Sequence, residues 1–280
     1  MRGGAQSHLM LGADGELYVV KFQNNPQHVR VLANELLASR LGALVGLSVP
    51  ACEVVEVTEW LIEHTPELDM ELGHSREVCR PGLQFGSRLV GGLMPGQLVD
   101  YLADEHLVEV RNLPEFAGML ALDKWTCNVN GRQAVYHKKR REKRYTAAFI
   151  DQGYCFHAGE WRYADAPLRG VFARNLVYHE VTGWESFEPW LSRMEAVAAE
   201  QVWAIAETVP PEWYGGDLNE MERLVEGLLE RRSRVRELID QFRVSDRVPF
   251  PKWVGSGERA EKGRSGGGER VHDMWSKRVM

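Results

Sequence analysis

The stretch LDKWTCN, residues 122–128, closes a helical pattern and places an aspartate five positions before an asparagine. Apolar residues spaced three and four apart predict a helix over residues 113–125. Two extended runs follow, from Arg132 to Tyr136 and from Tyr145 to Ile150. A basic segment separates them, so the pattern predicts a hairpin with a basic tip at residues 137–144.

That hairpin ends on FIDQG, residues 149–153, where Asp151 leaves an apolar strand and enters a tight turn. An asparagine and an aspartate in this order offer side-chain oxygens to metal ions that bridge nucleotide phosphates. We therefore predict Asn128 and Asp151 as metal ligands. A purely turn-forming role for Asp151 is the alternative.

The N-terminal region supplies a second set of polar residues. RGGAQSH, residues 2–8, contains adjacent glycines, which let the backbone approach an anion closely. Lys21 lies inside the apolar run YVVKF, residues 18–22, which belongs to a hairpin predicted over residues 10–22. Fourteen residues later, Glu35 lies in a helix predicted over residues 29–45.

The order of these three features is informative. A glycine loop, a strand lysine and a helix glutamate is the order in which kinases of the protein-kinase type hold the α- and β-phosphates. Taken singly, a lysine such as Lys21 is more commonly an edge-strand charge and a glycine pair near a terminus is more often a turn, and Glu35 is compatible with a solvated helix charge.

Together the motifs resemble, in the same order, those of HipA-like kinases over roughly residues 3–210. The matching segments are Gly4-Ala5-Gln6, Tyr18 to Phe22, Asn34-Glu35, Gly46 to Pro50, Leu122 to Asn128, and Ile150 to Gly153. The resemblance implies an α+β, two-lobed protein-kinase-like fold with a small strand-rich N-lobe and a larger helical C-lobe. It also implies ATP and Mg2+ as cofactors and phosphorylation of a hydroxyl on a protein or small molecule.

We assign roles to particular residues on this reading. Asp123 and Asn130 are the candidate catalytic residues, and Asn128 and Asp151 the candidate metal ligands. The candidate ATP-binding residues are Gly3, Gly4, Ala5, Gln6, Lys21 and Glu35.

The chain departs from the family pattern after Asn128. Family members continue as Asn-x-Asp-Arg-His-x-x-Asn, with the aspartate regarded as catalytic and the last asparagine as a metal ligand, but here Asn130 and Val135 stand at those two positions. An amide cannot accept a proton as a carboxylate does. Either Asp123 and Asn128 take over these roles, or the protein is a pseudokinase that binds nucleotide and regulates a partner.

Two further departures concern the N-terminus. Only Met1 and Arg2 precede the glycine loop, so we expect the strand before the loop to be absent or very short, either because the chain is shortened or because its start is misplaced. We also expect the extra N-terminal subdomain of HipA toxins to be absent, so the resemblance does not imply a toxin.

Composition limits the alternatives. The 280 residues carry a net charge of -6 and are 44% hydrophobic, as in soluble globular proteins. Nucleic acid is therefore an improbable partner, and a solvated hairpin tip is favoured over a phosphate-gripping one at residues 137–144. No run reaches the length of a membrane span and no signal peptide is evident, so we predict a cytoplasmic protein. The four cysteines are widely spaced, which favours buried thiols over a zinc site or disulfides.

The predicted domains are an N-lobe over residues 1–95, a helical C-lobe over residues 96–243 and a disordered tail over residues 244–280. Further predicted elements are strands at residues 54–57 and 61–62, an irregular insertion over residues 64–82, a loop at residues 82–88, and helices at residues 98–102, 192–208 and 218–242. Trp184, Trp190, Trp203 and Trp213 are expected to be core aromatics of the helical half.

Overall fold

The computed structural model describes residues 4–72 and 75–254. Its strands are β1 (His8–Leu11), β2 (Leu17–Lys21), β3 (Cys52–Val57), β4 (Asp69–Leu72), β5 (Ser75–Val78), β6 (Gly82–Arg88), β7 (Leu98–Val99), β8 (Gln133–His137) and β9 (Thr146–Ile150). Its α-helices are α1 (Val31–Leu44), α2 (Glu59–Glu63), α3 (Asp104–Leu107), α4 (Glu115–Trp125), α5 (Trp190–Ala196), α6 (Ala199–Ala206), α7 (Leu218–Arg231) and α8 (Val235–Arg243).

The N-terminal sheet has the strand order β1-β2-β6-β3, with antiparallel neighbours. Strand β2 lies between β1 and β6, and Lys21 is in register with Phe85. The hairpin predicted over residues 10–22 is therefore present. Because β2 is an inner strand, Lys21 is not an edge-strand charge.

Helix α1 connects this sheet to the helical part of the molecule. Nearly all of its residues are buried, including Asn34 and Glu35, and it ends before Gly46, whose φ of 83° suits glycine. A helix that is buried on all sides is packed between two layers. Its leucines belong to the same apolar cluster as Phe85 of the sheet and Leu122 of α4.

Four predictions for the first 102 residues are wrong. Residues 61–62 belong to helix α2, where Thr58 Oγ1 accepts a hydrogen bond from the Leu61 N–H at 3.3 Å and caps the helix. The predicted irregular insertion contains the β4–β5 hairpin. Residues 82–88 form the inner strand β6 instead of a loop, and residues 98–99 form strand β7 instead of part of a helix.

The C-terminal part is mainly helical. Helix α4 and the β8–β9 hairpin match the predictions. The helix predicted over residues 192–208 is two helices, because Val197 and Ala198 have extended backbone conformations. The helix predicted over residues 218–242 is also interrupted, by a 3-10 turn at residues 232–234. All four tryptophans expected in the core pack in or against it.

The predicted tail boundary at residue 243 needs correction. Phe250 is buried against Phe187 and Phe242, and Trp253 packs against Trp184. Burial of these aromatic side chains holds residues 244–254 against the helical core. Residues 255–280, the rest of the predicted tail, lie outside the described residues.

Two other predictions from the sequence concern the state of the cysteines and the absence of a membrane-spanning helix. All four cysteines are free and buried, as expected for small apolar side chains. Among residues 4–72 and 75–254, no helix is long and apolar enough to cross a membrane.

Candidate nucleotide-binding site

A cleft of about 1010 Å³ lies between the N-terminal sheet and the helical part. Residues from both sides line it, and they include Gly4, Ala5, Lys21, Glu35, Asn130 and Asp151 from the sequence prediction. Gly3 lies outside the described residues. Gln6 is not on the cleft wall, because its side-chain amide exchanges two hydrogen bonds with the backbone of Glu71 on β4, at 2.6 and 2.7 Å.

The centre of the cleft is an ion-pair cluster built from three separate elements. Lys21 on β2 donates to Oε1 of Glu35 on α1 and, at 2.9 Å, to Oδ1 of Asp151 after β9. The residues are 14 and 130 positions apart in the sequence. Lys21 is 8% exposed and Glu35 is 2% exposed, so neither is the solvated charge that each could be when considered alone.

Lys21 and Asp151 favour each other's ionised state, whereas burial raises the pKa of the Glu35 carboxyl. Burial opposes the charged form of Lys21, but the carboxylates of Glu35 and Asp151 outweigh it and raise the pKa of the ammonium group. Burial also opposes the charge on Asp151, and Lys21 outweighs it, so the pKa of this carboxyl is lowered. A lysine held charged beside two carboxylates is suited to bind an anion that enters the cleft.

Glu35 and its neighbour Asn34 also hold the segment that follows Asp151. The Glu35 carboxylate accepts the backbone N–H groups of Gln152 at 3.0 Å and Gly153 at 2.9 Å. The Asn34 amide donates to the carbonyls of Gly153, Cys155 and Ala158 at 2.8 to 2.9 Å, and its oxygen accepts the indole N–H of Trp161 at 2.7 Å. Helix α1 thus fixes the chain from residue 152 to residue 161.

Asp123 is not on the cleft wall, and this corrects its assignment as a catalytic residue. Its side chain is fully buried, and both carboxylate oxygens are bound by Arg132, with Nε to Oδ2 at 2.9 Å. Arg132 also donates to the Ile150 carbonyl at 2.7 Å and to Gln152 Oε1 at 3.2 Å. Asp123 therefore acts on the site only through Arg132, which holds the residues on either side of Asp151.

Asn128 is also absent from the cleft lining, contrary to its prediction as a metal ligand. Its amide donates to Asp123 at 2.8 Å, and its oxygen accepts the backbone N–H of Asn130 at 2.9 Å. Because both ends of the amide are used, Asn128 stabilises the loop. Asn130 lines the cleft, and its side-chain oxygen accepts the N–H of Gly131 at 2.8 Å.

The residue that sequence reasoning missed is Gln133. It is the first residue of β8, it is in register with Ile150, and its side-chain amide donates to Oδ2 of Asp151. Val135, two residues later, also lines the cleft. Since side chains alternate along a strand, both lie on one face of β8. The strand register was the missing signal, because it places Gln133 and not Val135 beside Asp151.

The polar groups at this position fit a magnesium ion. No group of three or more histidine, cysteine, aspartate or glutamate side chains that could hold a metal occurs among the described residues. A carboxylate and an amide, Asp151 and Gln133, nevertheless lie together on the cleft. Mg2+ is commonly held by one or two protein oxygens together with substrate phosphates, so this donor set suits a metal that arrives with a nucleotide.

Part of the cleft lining is apolar. Val19 on β2, Phe85 on β6, Leu89 and Val135 contribute to it. A flat apolar ring such as a purine is stabilised between aliphatic and aromatic walls of this kind.

Comparison with known proteins gives one family match and several solved structures of similar fold. A family model described as HipA-like kinase matches residues 1–111. No curated protein matches the chain. The HipA structure in a complex of HipA, HipB and operator DNA from Shewanella oneidensis MR-1 is similar at a TM-score of 0.50 and 12% identity, covering 88% of this chain and 67% of that one.

Two other solved structures are similar at lower scores. The Helicobacter pylori proinflammatory kinase CtkA has a TM-score of 0.49 and 13% identity, with 88% of this chain and 94% of that chain covered. A Golgi casein kinase has a TM-score of 0.49 and 12% identity, with 89% of this chain and 73% of that chain covered.

The family match over residues 1–111 confirms the resemblance to HipA-like kinases. The fold is a mixed α/β, protein-kinase-like one.

Proposed function

We propose that this protein is an ATP- and Mg2+-dependent phosphotransferase that acts on a hydroxyl group of a protein or a small molecule. The observation that carries the proposal is the contact of Lys21 with both Glu35 and Asp151 at the wall of a large cleft. The kinase-like family match supports it. We keep the cytoplasm as the expected location, with no nucleic-acid partner.

Each residue of the cluster has a role in this proposal. Lys21 binds the α- and β-phosphates of ATP, and Glu35 holds Lys21 in place. Gly4 and Ala5 bring backbone close to the phosphates. Asp151 and Gln133 would hold the metal ion, which would neutralise charge on the phosphates. Val19 and Val135 contact the purine.

Nucleotide binding is tested by thermal unfolding. MgATP should raise the melting temperature, because a ligand that binds only the native state stabilises it by RT ln(1 + [L]/Kd). Lys21→Met and Asp151→Asn should each abolish that rise. Lys252→Met, at an exposed lysine paired with Glu180, is the matched control and should keep the full rise. A rise that persists in both cleft variants would contradict the site.

A second candidate function is a pseudokinase that binds nucleotide without chemistry. The observation that favours it is Asn130, because its amide lines the cleft where the family has a carboxylate. ADP production by purified protein distinguishes the two functions. If the rest of the site is intact, Asn130→Asp should raise ADP production. ATP binding without ADP from either protein would support the pseudokinase.

A further inference from the structure

The proposed transfer needs a group that accepts the proton of the acceptor hydroxyl, and few candidates line the cleft. Four carboxylates lie on its wall: Glu35, Asp100, Asp151 and Glu160. Glu35 and Asp151 are bound to Lys21. Asp100 directly follows β7 and is exposed.

The remaining carboxylate, Glu160, lies beside a histidine that also lines the cleft. The buried ring nitrogen Nδ1 of His157 makes no hydrogen bond and lies 3.3 Å from Oε1 of Glu160. The His157 side chain is 20% exposed, and since Nδ1 is buried, that exposure belongs to the rest of the ring. In the neutral tautomer that carries its proton on Nδ1, the imidazole leaves Nε2 as a proton acceptor.

The backbone holds His157 next to the loop that carries Asn130. The N–H groups of Phe156 and His157 donate to the carbonyls of Thr126 and Cys127, at 2.6 and 3.1 Å, and the Val129 N–H donates to Tyr154 at 3.2 Å. The two segments therefore run side by side, and Val129, Asn130, Tyr154 and His157 all line the cleft.

His157 also has an unusual backbone conformation. Phe156, His157 and Ala158 have φ angles of 57°, 59° and 59°, in the left-handed region that costs energy for residues with a side chain. The hydrogen bonds from Asn34 to the carbonyls of Cys155 and Ala158 enclose this turn. A strained turn held from both ends supports a functional reason for its direction.

We propose that His157 is the general base of the transfer, in place of the carboxylate that is absent at Asn130; this rests on the proposed function. Nε2 of His157 takes the proton from the acceptor hydroxyl as its oxygen forms a bond to the γ-phosphorus of ATP. The bond from that phosphorus to the β,γ-bridging oxygen breaks, and ADP leaves with the electron pair. The imidazolium then releases its proton to water.

Charged and titratable groups surround His157 on several sides. Glu160 lies at Nδ1 and is itself paired with Arg162. His28 packs edge-on against Tyr154 and contacts the Gly153 carbonyl at 2.8 Å, and Cys127 lies in the loop to which His157 is bonded. Glu160 is the acidic group among them, and its Oε1 lies 3.3 Å from Nδ1.

The test compares ADP production from MgATP in variants that keep the left-handed turn. Asparagine and glycine both tolerate a positive φ, so His157→Asn and His157→Gly should fold. Each should lower ADP production by on the order of 100-fold and keep the rise in melting temperature with MgATP. Added imidazole should restore part of the turnover in His157→Gly. The control is His106→Asn at an exposed histidine 4.0 Å from Glu109, which should leave turnover unchanged.

Three outcomes would overturn the assignment. Unchanged ADP production in His157→Asn, with the wild type active, would reject His157 as the base but leave the kinase proposal standing. Loss of turnover in His157→Gly without imidazole rescue would mean that the histidine acts structurally. Wild-type protein that binds MgATP and yields no ADP would reject the phosphotransferase and its base together.

Discussion

Asp123 shows how one side chain can support the site without entering it. Asp123→Asn would leave Arg132, which is 4% exposed, without its carboxylate partner. We expect the free energy of unfolding to fall by about 3 kcal/mol, because a buried charge loses its compensation. Urea unfolding measures this loss.

A double-mutant cycle checks that the loss comes from the pair. Arg132→Met alone should also be destabilising, and the double variant should lose less than the sum of the two single variants. Loss of ADP production in Asp123→Asn at unchanged stability would instead place Asp123 in the chemistry.

We expect the free energy of unfolding to depend on pH through Lys124, which follows Asp123 in the sequence. This lysine is buried and donates to the carbonyls of Pro167 and Arg169, and burial lowers its pKa from 10.5 to about 8. Between pH 8 and 10.5 the unfolded chain holds a proton that the native protein has lost, so stability rises with pH across this window, by about 3 kcal/mol at most.

Chemical unfolding at several pH values measures the effect of Lys124. The control Lys124→Met removes the titrating group, so the difference between wild type and variant isolates the lysine from cysteine and tyrosine titrations. A parallel pH dependence in the two proteins would contradict the lowered pKa.

At this scale the sequence predicted part of the site. Lys21, Glu35 and Asp151 meet as expected, because each lies at a fixed place in an element with a clear apolar pattern. Their roles as ligands of ATP and metal stay predictions. Asp123 and Asn128 were assigned by spacing, and the spacing does bring them into contact, at 2.8 Å. The spacing cannot reveal that Arg132 binds both carboxylate oxygens of Asp123, since this contact depends on how β8 packs against α4.

At the scale of elements, the hydrogen bonds of Asn34 allow a test of whether α1 orders the segment after Asp151. Asn34→Asp keeps an acceptor for the Trp161 indole but removes the donors to the carbonyls of Gly153, Cys155 and Ala158. We expect faster amide hydrogen exchange over residues 152–161 and a smaller rise in melting temperature with MgATP, because ordering that segment then opposes binding.

The exposed polar substitution Asn24→Asp, at a side chain bonded to Glu77 and Val78, is the control for Asn34→Asp and should leave exchange in residues 152–161 unchanged. Unchanged exchange in Asn34→Asp as well would show that Glu35 alone holds the segment.

Elements with their own periodic signal were predicted, and those that depend on distant partners were not. Helices α1 and α4 and the hairpins β1–β2 and β8–β9 have strong local patterns. Strand β6 contains Gly82 and Gly86, which favoured a loop, but Gly86 lies against Val55 so closely that a Cβ would be 2.7 Å from its Cγ1. The strand exists because β2 and β3 pair with it on both sides, which no local pattern shows.

At the scale of the whole molecule, the core does not divide at the predicted lobe boundary near residue 95. One apolar cluster contains α1 and Phe85 together with the helical part, whereas a small second cluster holds Tyr18, Val20, Ile62 and Met70. Polar contacts cross between the parts as well: Ser48 is bound to Glu115, and the Trp213 indole donates to the Leu83 carbonyl at 3.0 Å.

Hydrogen exchange of the nucleotide-free protein should follow the clusters and not the lobes. Amides of α1 and β6 should exchange as slowly as those of α4, because opening them exposes the shared core, while the β4–β5 hairpin and α2, which depend on the small cluster, should open at lower free energy. MgATP should slow exchange in β2 and residues 151–153. The helices α1 and α4 and strand β6 should still exchange more slowly than α2 and the β4–β5 hairpin. If α1 exchanged together with α2, ahead of α4, the N-lobe would unfold as an independent unit and the shared core would not hold it.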